Sequence, residues 1–318
     1  MDNQELAVGV DIGGTKIASI LVDREGKILA GDYRMTAAAS GEDGTLERIV
    51  ASIQSVIGSH RSVSGIGIDV PGVVNPETGV VENAVNLGWE RVALREEIQK
   101  RFTMRIPIHV ERDTYAQTLG EFYFGAARQV SDYVYLGIGS GLGAGALVDG
   151  RLLQGSGRAA LEIGHLGLTG LTHPCGCGKI GCAETILSGP GMVKTYLTGG
   201  WQAEFPIEPE NNTDLTAQDI LARAQAGESK AQQVVSEAGR YLGEVISDLL
   251  MILNPSLIVI GGGLGASAFG QMRPGMDTEI KRRCMPENYR NLRIEKSTLD
   301  SSALGAASLV WYSQKRIH

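Results

Sequence analysis

The sequence predicts an α/β fold of two similar lobes with a ligand cleft between them. Three observations carry this. A strand that ends in a glycine turn and continues as a hairpin occurs near the N-terminus and again from residue 133. Helical stretches follow each occurrence. The chain has 318 residues, too many for one simple core and comfortable for two packed lobes. The repeat is one of topology rather than sequence, and a cleft between two such lobes is where a ligand is expected.

In the first half, residues 6–11 read as a buried strand running into glycines. Residues 16–22 and 27–33 alternate like strands around a turn at 23–26, giving an antiparallel three-strand start. Residues 47–57 have helical apolar spacing, and 65–70 form a strand stopped by Pro71 and Gly72. Residues 106–111 are a strand, after which Asp113 and Thr114 cap a helix running to about residue 127. In the second half, 133–138 is a strand, and 145–148 with 151–153 make a hairpin around Asp149 and Gly150. Residues 199–212 are polar with two prolines and read as a loop; Thr216 and Asp219 form a capping box. Residues 237–253 are helical, 257–260 form a strand leading into Gly261–Gly263, and 302–312 are helical. The lobes are expected at 1–112, completed by a C-terminal helix at 302–318, and at 113–301.

Composition narrows the function. There are 43 glycines, about twice the ordinary share of about 7%. They cluster in short runs beside apolar strands, as loops that cradle ligands require. The net charge is -7 and no Lys/Arg block is present, which argues against a nucleic-acid surface. No signal peptide is visible. No apolar run approaches the roughly 18–20 residues of a membrane span; the longest, 249–260, is broken by Asn254 and Pro255. The expected location is the cytoplasm.

The segment Asp11-Ile12-Gly13-Gly14-Thr15-Lys16 joins two strands. Its glycines let backbone N–H groups converge on an anion, Thr15 adds a hydroxyl, Lys16 a cation, and Asp11 could hold a divalent metal or its water. Gly139-Ser140-Gly141-Leu142-Gly143 has the same design. A third run, Gly261-Gly262-Gly263, follows a strand and precedes a helix, which also fits a dinucleotide site. Its late position, and the lack of a clear βαβ unit with an acidic residue at the next strand end, argue against a nicotinamide cofactor. Any one of these loops alone also fits a plain polar turn; three at matching places in a duplicated fold point to phosphate binding.

His165, Cys175, Cys177 and Cys182 form the frame H-x9-C-x-C-x4-C. Three thiolates and one imidazole are a closed tetrahedral zinc set, structural rather than catalytic. Buried free thiols, or one disulfide and a spare thiol, are the competing reading. Cys284 stands alone. Glu162 is three residues before His165, and Glu184 two past the last cysteine, so zinc would set all three as a polar wall, with the second His165 nitrogen left to donate.

Together these residues resemble the ROK family of sugar kinases and repressors, within the actin-like (ribonuclease H-like) and hexokinase-like ATPases. The resemblance covers nearly the whole chain, through 11–16, 69–72, 86–89, 111–121, 139–145, 162–165, 175–182 and 254–263. It implies two actin-like lobes, a bound ATP with Mg²⁺, a structural Zn²⁺, a glucokinase-like transfer of phosphate to the 6-hydroxyl of a hexose, and a homodimer or homotetramer. By the same resemblance Asp113 is the catalytic base. Gly72, Asn86, Glu162, His165 and Glu184 are sugar contacts. Asp11, Gly13, Gly14, Thr15, Lys16, Gly139, Ser140, Gly141 and Gly143 serve the phosphates, and Gly261, Gly262 and Gly263 the adenosine. A helix N-terminus at Asp113 favours its ionised form, as a base requires.

One position departs from the family pattern: Arg112 stands where an asparagine usually precedes the catalytic aspartate. Arginine only donates, and it is longer and charged. Either the pocket takes a substrate other than glucose, such as an amino sugar, allose or a cyclitol, or Arg112 turns outward. The alternative function is a non-catalytic sugar sensor. Repressors of the family carry an N-terminal DNA-binding domain, for which a phosphate loop beginning at Asp11 leaves no room.

Overall fold

The computed structural model describes residues 5–60, 63–102, 105–198 and 214–315. The loop expected at 199–212 lies outside them. In chain order the elements are β1 (Leu6–Ile12), β2 (Lys16–Asp23), β3 (Ile28–Met35), α1 (Gly41–Ile57), β4 (Val63–Val70), β5 (Val73–Asn75), β6 (Val80–Ala84), β7 (Trp89–Val92), α2 (Leu94–Lys100), β8 (Ile108–Arg112) and α3 (Asp113–Tyr123). They continue with β9 (Tyr133–Ile138), β10 (Leu142–Val148), β11 (Arg151–Leu152), α4 (Glu184–Leu187), α5 (Gly189–Thr198), α6 (Ala217–Gln225), α7 (Ser229–Leu253), β12 (Leu257–Gly261), α8 (Gly263–Arg283), α9 (Pro286–Tyr289), β13 (Arg293–Lys296) and α10 (Ala303–Lys315). This is a mixed α/β fold. Among the described residues no helix is long and apolar enough to cross a membrane.

The chain divides into two compact units, one of residues up to 129 with those from 298 onward, the other of 130–297. The sequence reading put α3 with the second lobe by dividing after residue 112. Instead α3 belongs with the first unit, because it packs against α10.

In the first unit the sheet order is β3-β2-β1-β4-β8. β1, β2 and β3 are antiparallel neighbours, whereas β4 and β8 run parallel to β1. Alternation along β1 sends Leu6, Val8, Val10 and Ile12 into one core with Leu46, Ile49 and Ile53 of α1. Ala7 enters the opposite core, with Ala303, Leu304, Ala307, Val310 and Trp311 of α10. Each fully buried large apolar side chain contributes about 1.5–3 kcal/mol. The α10 face is built for close approach: a Cβ on Gly9 would lie 2.0 Å from the Ala303 carbonyl oxygen, and one on Gly67 1.8 Å from that of Ala306. The same parity puts Asp11, Asp69 and Glu111 on the α10 side of the sheet, in one row across β1, β4 and β8. A small sheet, β5-β6-β7, follows β4.

The second unit repeats the plan, with sheet order β11-β10-β9-β12-β13 and the same strand directions. The topological repeat read from the sequence is therefore present. Asp149 and Gly150 both have left-handed backbones, φ 50° and 71°, as a tight hairpin turn demands. Thr216 and Asp219 form the reciprocal capping box at the start of α6.

Two expectations are corrected. α3 ends at Tyr123 rather than near 127, because Phe124 leaves helical geometry and the Glu121 carboxylate accepts the N–H of Ala126. A βαβ unit does exist, since β12 and β13 are parallel with α8 between them; its second strand closes on Glu295 and Lys296, Glu295 being paired with Arg293.

Candidate active site

In the first unit, Gly13–Lys16 is the turn between β1 and β2, closed by the Gly13 N–H donating to the Lys16 carbonyl at 2.9 Å. Thr36 braces it, its hydroxyl donating to the Gly13 carbonyl at 2.6 Å and its N–H to that of Thr15 at 2.9 Å. Thr15 and Lys16 are exposed on its tip. Asn86, also exposed, stands beside it: a Cβ on Gly14 would lie 3.2 Å from the Asn86 Cβ. Gly72 has φ 109° and lies so close to β6 that a Cβ would fall 2.0 Å from the Asn83 carbonyl oxygen, so only glycine fits there.

Asp113 is the first residue of α3, and the cap position belongs to Arg112, whose side chain makes no capping bond. The sequence reading had Asp113 as cap. Its Oδ1 instead accepts the Thr114 N–H at 2.7 Å, at the positive end of the helix. Arg112 is half-buried, with its guanidinium carbon 4.6 Å from the centre of the buried Tyr115 ring. That stack holds the guanidinium against the first turn of α3.

Three further residues escaped the sequence reading. Asp69 is fully buried and accepts from the Gln117 amide at 3.0 Å. Burial, then the neighbouring Asp11 carboxylate and more weakly that of Asp113, push its carboxyl well above the usual range. Gln117 also donates to the Ser302 carbonyl at 2.8 Å, and the Ser302 hydroxyl donates to Asp11. Strand parity could have flagged Asp69; Ser302 carried no local signal.

In the second unit, the turn at Gly139–Gly141 joins β9 to β10, with the Gly139 N–H donating to the Gly141 carbonyl at 2.9 Å. Ser140 is exposed there. Gly143 is not part of the turn, as the glycine pattern suggested, but pairs with Gly137 inside β10. Gly261 ends β12, Gly262 caps α8 with φ 76° and Gly263 opens the helix. A Cβ on Gly262 would lie 2.4 Å from the Ile138 carbonyl oxygen, so this corner abuts the Gly139 turn.

His165 ends a 3₁₀ turn, Ile163–His165, and its N–H donates to the Glu162 carbonyl at 3.0 Å. Three residues per turn place the exposed Glu162 on the same side. The cysteine loop folds back through antiparallel bridges, Gly167 to Cys182 and Pro174 to Ile180. It gathers donor atoms of His165, Cys175, Cys177 and Cys182 within 4.8 Å of one another. The Cys177 and Cys182 sulfurs are 3.7 Å apart, and the Cys175 sulfur is 3.8 Å from His165 Nδ1. A disulfide needs about 2.05 Å. A tetrahedron with bonds of about 2.3 Å has edges of about 3.8 Å. The donor set therefore fits one zinc ion. Burial pushes the Cys182 thiol up to about 12, a cost that a bound cation offsets. Two residues on, Glu184 opens α4, and its Oε2 accepts the Leu142 N–H at 2.9 Å. Cys284 is buried away from this cluster, against the Ser247 carbonyl.

Comparison with known proteins decides the family: residues 7–312 match the ROK family. The chain belongs to the ROK family. A glucokinase of Halalkalibacterium halodurans is 31% identical over 316 residues, covering 95% of this chain and 94% of the enzyme. A xylose repressor of Caldicellulosiruptor bescii is also 31% identical, over 95% of this chain and 77% of the repressor. Among solved structures, a ROK glucokinase of Streptomyces griseus in complex with glucose and AMPPNP is 27% identical, with a TM-score of 0.77 over 98% of this chain and 99% of that one. The ROK relatives thus include both kinases and repressors.

Proposed function

We propose that this chain is a cytoplasmic, ATP-dependent sugar kinase that phosphorylates the 6-hydroxyl of a hexose, with Asp113 as general base. The observation that carries the reading is Asp113 itself, a carboxylate at the first position of α3, directly after the strand that lies beside β4 with Asp69, which in turn lies beside β1 with Asp11. The likeness to a glucokinase bound to glucose and AMPPNP supports it.

The Asp113 carboxylate takes the proton of the sugar hydroxyl. The freed oxygen forms a bond to the γ-phosphorus as the bond to the β-phosphate oxygen breaks, giving sugar phosphate, ADP and a proton. The turn N–H groups of 13–16 with Lys16, and those of 139–141, bind the phosphates, and Gly261–Gly263 receive the adenosine edge. Mg²⁺, accompanying ATP, would be held by Asp11 directly or through water and would neutralise phosphate charge. The zinc ion would hold the wall of Glu162, His165 and Glu184, which bind sugar hydroxyls with Gly72 and Asn86; it takes no part in the chemistry.

Arg112, held by Tyr115 and able only to donate, favours a substrate that presents an acceptor to it, and an amino sugar, allose or a cyclitol stand as alternatives to glucose. It also motivates the second reading, a non-catalytic sugar sensor, to which the likeness to a xylose repressor lends support. Mg·ATP turnover measured as ADP release against hexoses, amino sugars and cyclitols separates the two. Sugar-dependent ADP supports the kinase. Sugar binding with no ADP from any member rejects it.

A further inference from the structure

The first unit contains a run of hydrogen bonds that the reading above does not use. Gln117 lies one turn beyond Asp113 on α3, so the two share a face. Its amide nitrogen donates twice, to Asp69 Oδ2 at 3.0 Å and to the Ser302 carbonyl at 2.8 Å. The Ser302 hydroxyl then donates to Asp11, and Asp11 is the register partner of Asp69 across β1 and β4. This circuit of bonds runs from Asp11 through Ser302 and Gln117 to Asp69, which stands beside Asp11 in the sheet. It links four separate pieces of chain: the ends of β1 and β4, the first turns of α3, and the residue that precedes α10.

The surroundings are shaped for this contact. A Cβ on Gly305 would lie 2.8 Å from the Gln117 amide nitrogen, and a Cβ on Gly120 would lie 2.8 Å from the Gly305 Cα. α3 and α10 thus meet at two glycines, and the amide fills the space this leaves. Without the amide, Asp69 Oδ2 would lose its donor, and α3 would lose a side-chain tie to β4 and to the residue before α10.

We propose that Gln117, with Ser302, is a positioning residue that fixes Asp113 relative to Asp11, and so sets the distance between the base and the phosphate turn. The proposal rests on the kinase reading. Gln117 touches neither reactant, and its effect passes through the helix that carries Asp113. Misplacement of a reacting group by about 1 Å costs up to about 100-fold in rate. A loosened circuit therefore lowers kcat with little change in KM for sugar, because the sugar-binding groups lie outside it.

The test measures kcat, KM and Tm for Gln117→Met, which keeps the length and removes the donors, and for Ser302→Ala, which cuts the circuit at Asp11. The expected result is a kcat about 10- to 100-fold lower in both, with KM for sugar within about 3-fold of wild type. Asp69→Asn, which can still accept from Gln117 and donate toward Asp11, is expected to keep most of the rate that Asp69→Ala loses. If Gln117→Met does not fold, Ser302→Ala and the Asp69 pair carry the test. Wild-type turnover with unaltered kcat in the variants overturns this proposal alone, as does an Asp69→Asn enzyme as slow as Asp69→Ala. A wild type that binds sugar but forms no ADP overturns the kinase reading and this proposal with it.

Discussion

The backbone N–H of Leu142 donates to Glu184 Oε2 at 2.9 Å, and through this bond the residue two places past the cysteine cluster is tied to the turn between β9 and β10. Leu142 is buried, so its N–H has no easy substitute partner. Glu184→Ala leaves that group unsatisfied, at a cost of about 1–3 kcal/mol. In a unit of this size the loss lowers Tm by roughly 2–12 °C. Glu184→Gln keeps an acceptor and stays near the wild-type Tm. Thermal melts of the two variants check this, and an unshifted Glu184→Ala would contradict it.

The four-residue donor set leads to a metal prediction. Protein purified without chelator carries about one zinc per chain by elemental analysis. Cys177→Ser loses it and melts lower, because the site exists only in the folded chain and metal binding free energy is therefore folding free energy. Sugar affinity falls with it, since His165 belongs to both the cluster and the wall. Full stability and sugar affinity in a zinc-free preparation would remove the zinc from the account.

Arg112 is stacked on Tyr115 at 4.6 Å, an interaction worth about 0.5–2 kcal/mol. Arg112→Asn restores a side chain that both donates and accepts, and the order of preferred sugars is expected to shift toward glucose. Tyr115→Leu, which releases the arginine, raises KM for the best substrate. Competition assays with paired sugars read both effects. An unchanged ranking in Arg112→Asn would mean that Arg112 does not meet the substrate.

Much of this was legible in the sequence, and what was not has a common cause. The β1–β2 turn, the Asp149–Gly150 hairpin, the Thr216–Asp219 box and the His165–Cys182 frame are local patterns, written within a few residues or one loop. The duplicated strand order was visible because each half opens on the same strand–glycine–hairpin series. Asp69, Gln117 and Ser302 could not be joined in advance. Their circuit depends on β4 lying beside β1 and on a helix almost two hundred residues past Gln117 closing over the same face. The end of α3 was misjudged because Glu121, which looks like an ordinary helix former, turns its carboxylate back to cap the loop after it.

The other end of that face gives a pH prediction. His109 sits on β8, with Nε2 3.1 Å from the Ser313 hydroxyl of α10. Burial, with the Arg95 charge second, holds its pKa below the ordinary 6.5. A depressed folded value means the neutral form is favoured in the native state. The associated stability is present above pH 6.5 and is lost as pH falls through the folded value. His109→Gln keeps a partner for Ser313 and does not titrate. Between about pH 7.5 and about pH 5, wild-type Tm is expected to fall further than that of the variant, acid effects on the cysteine cluster being common to both. Equal falls would show that His109 does not contribute.

The central claim is that Asp113 performs proton transfer from a bound sugar. The most direct measurement is kcat for Asp113→Asn beside wild type, with sugar and ATP affinities measured by titration calorimetry on the same samples. The account predicts a kcat at least about 10²-fold lower with both ligands still bound, because an amide keeps the shape and loses the base. A variant that turns over at the wild-type rate would contradict it.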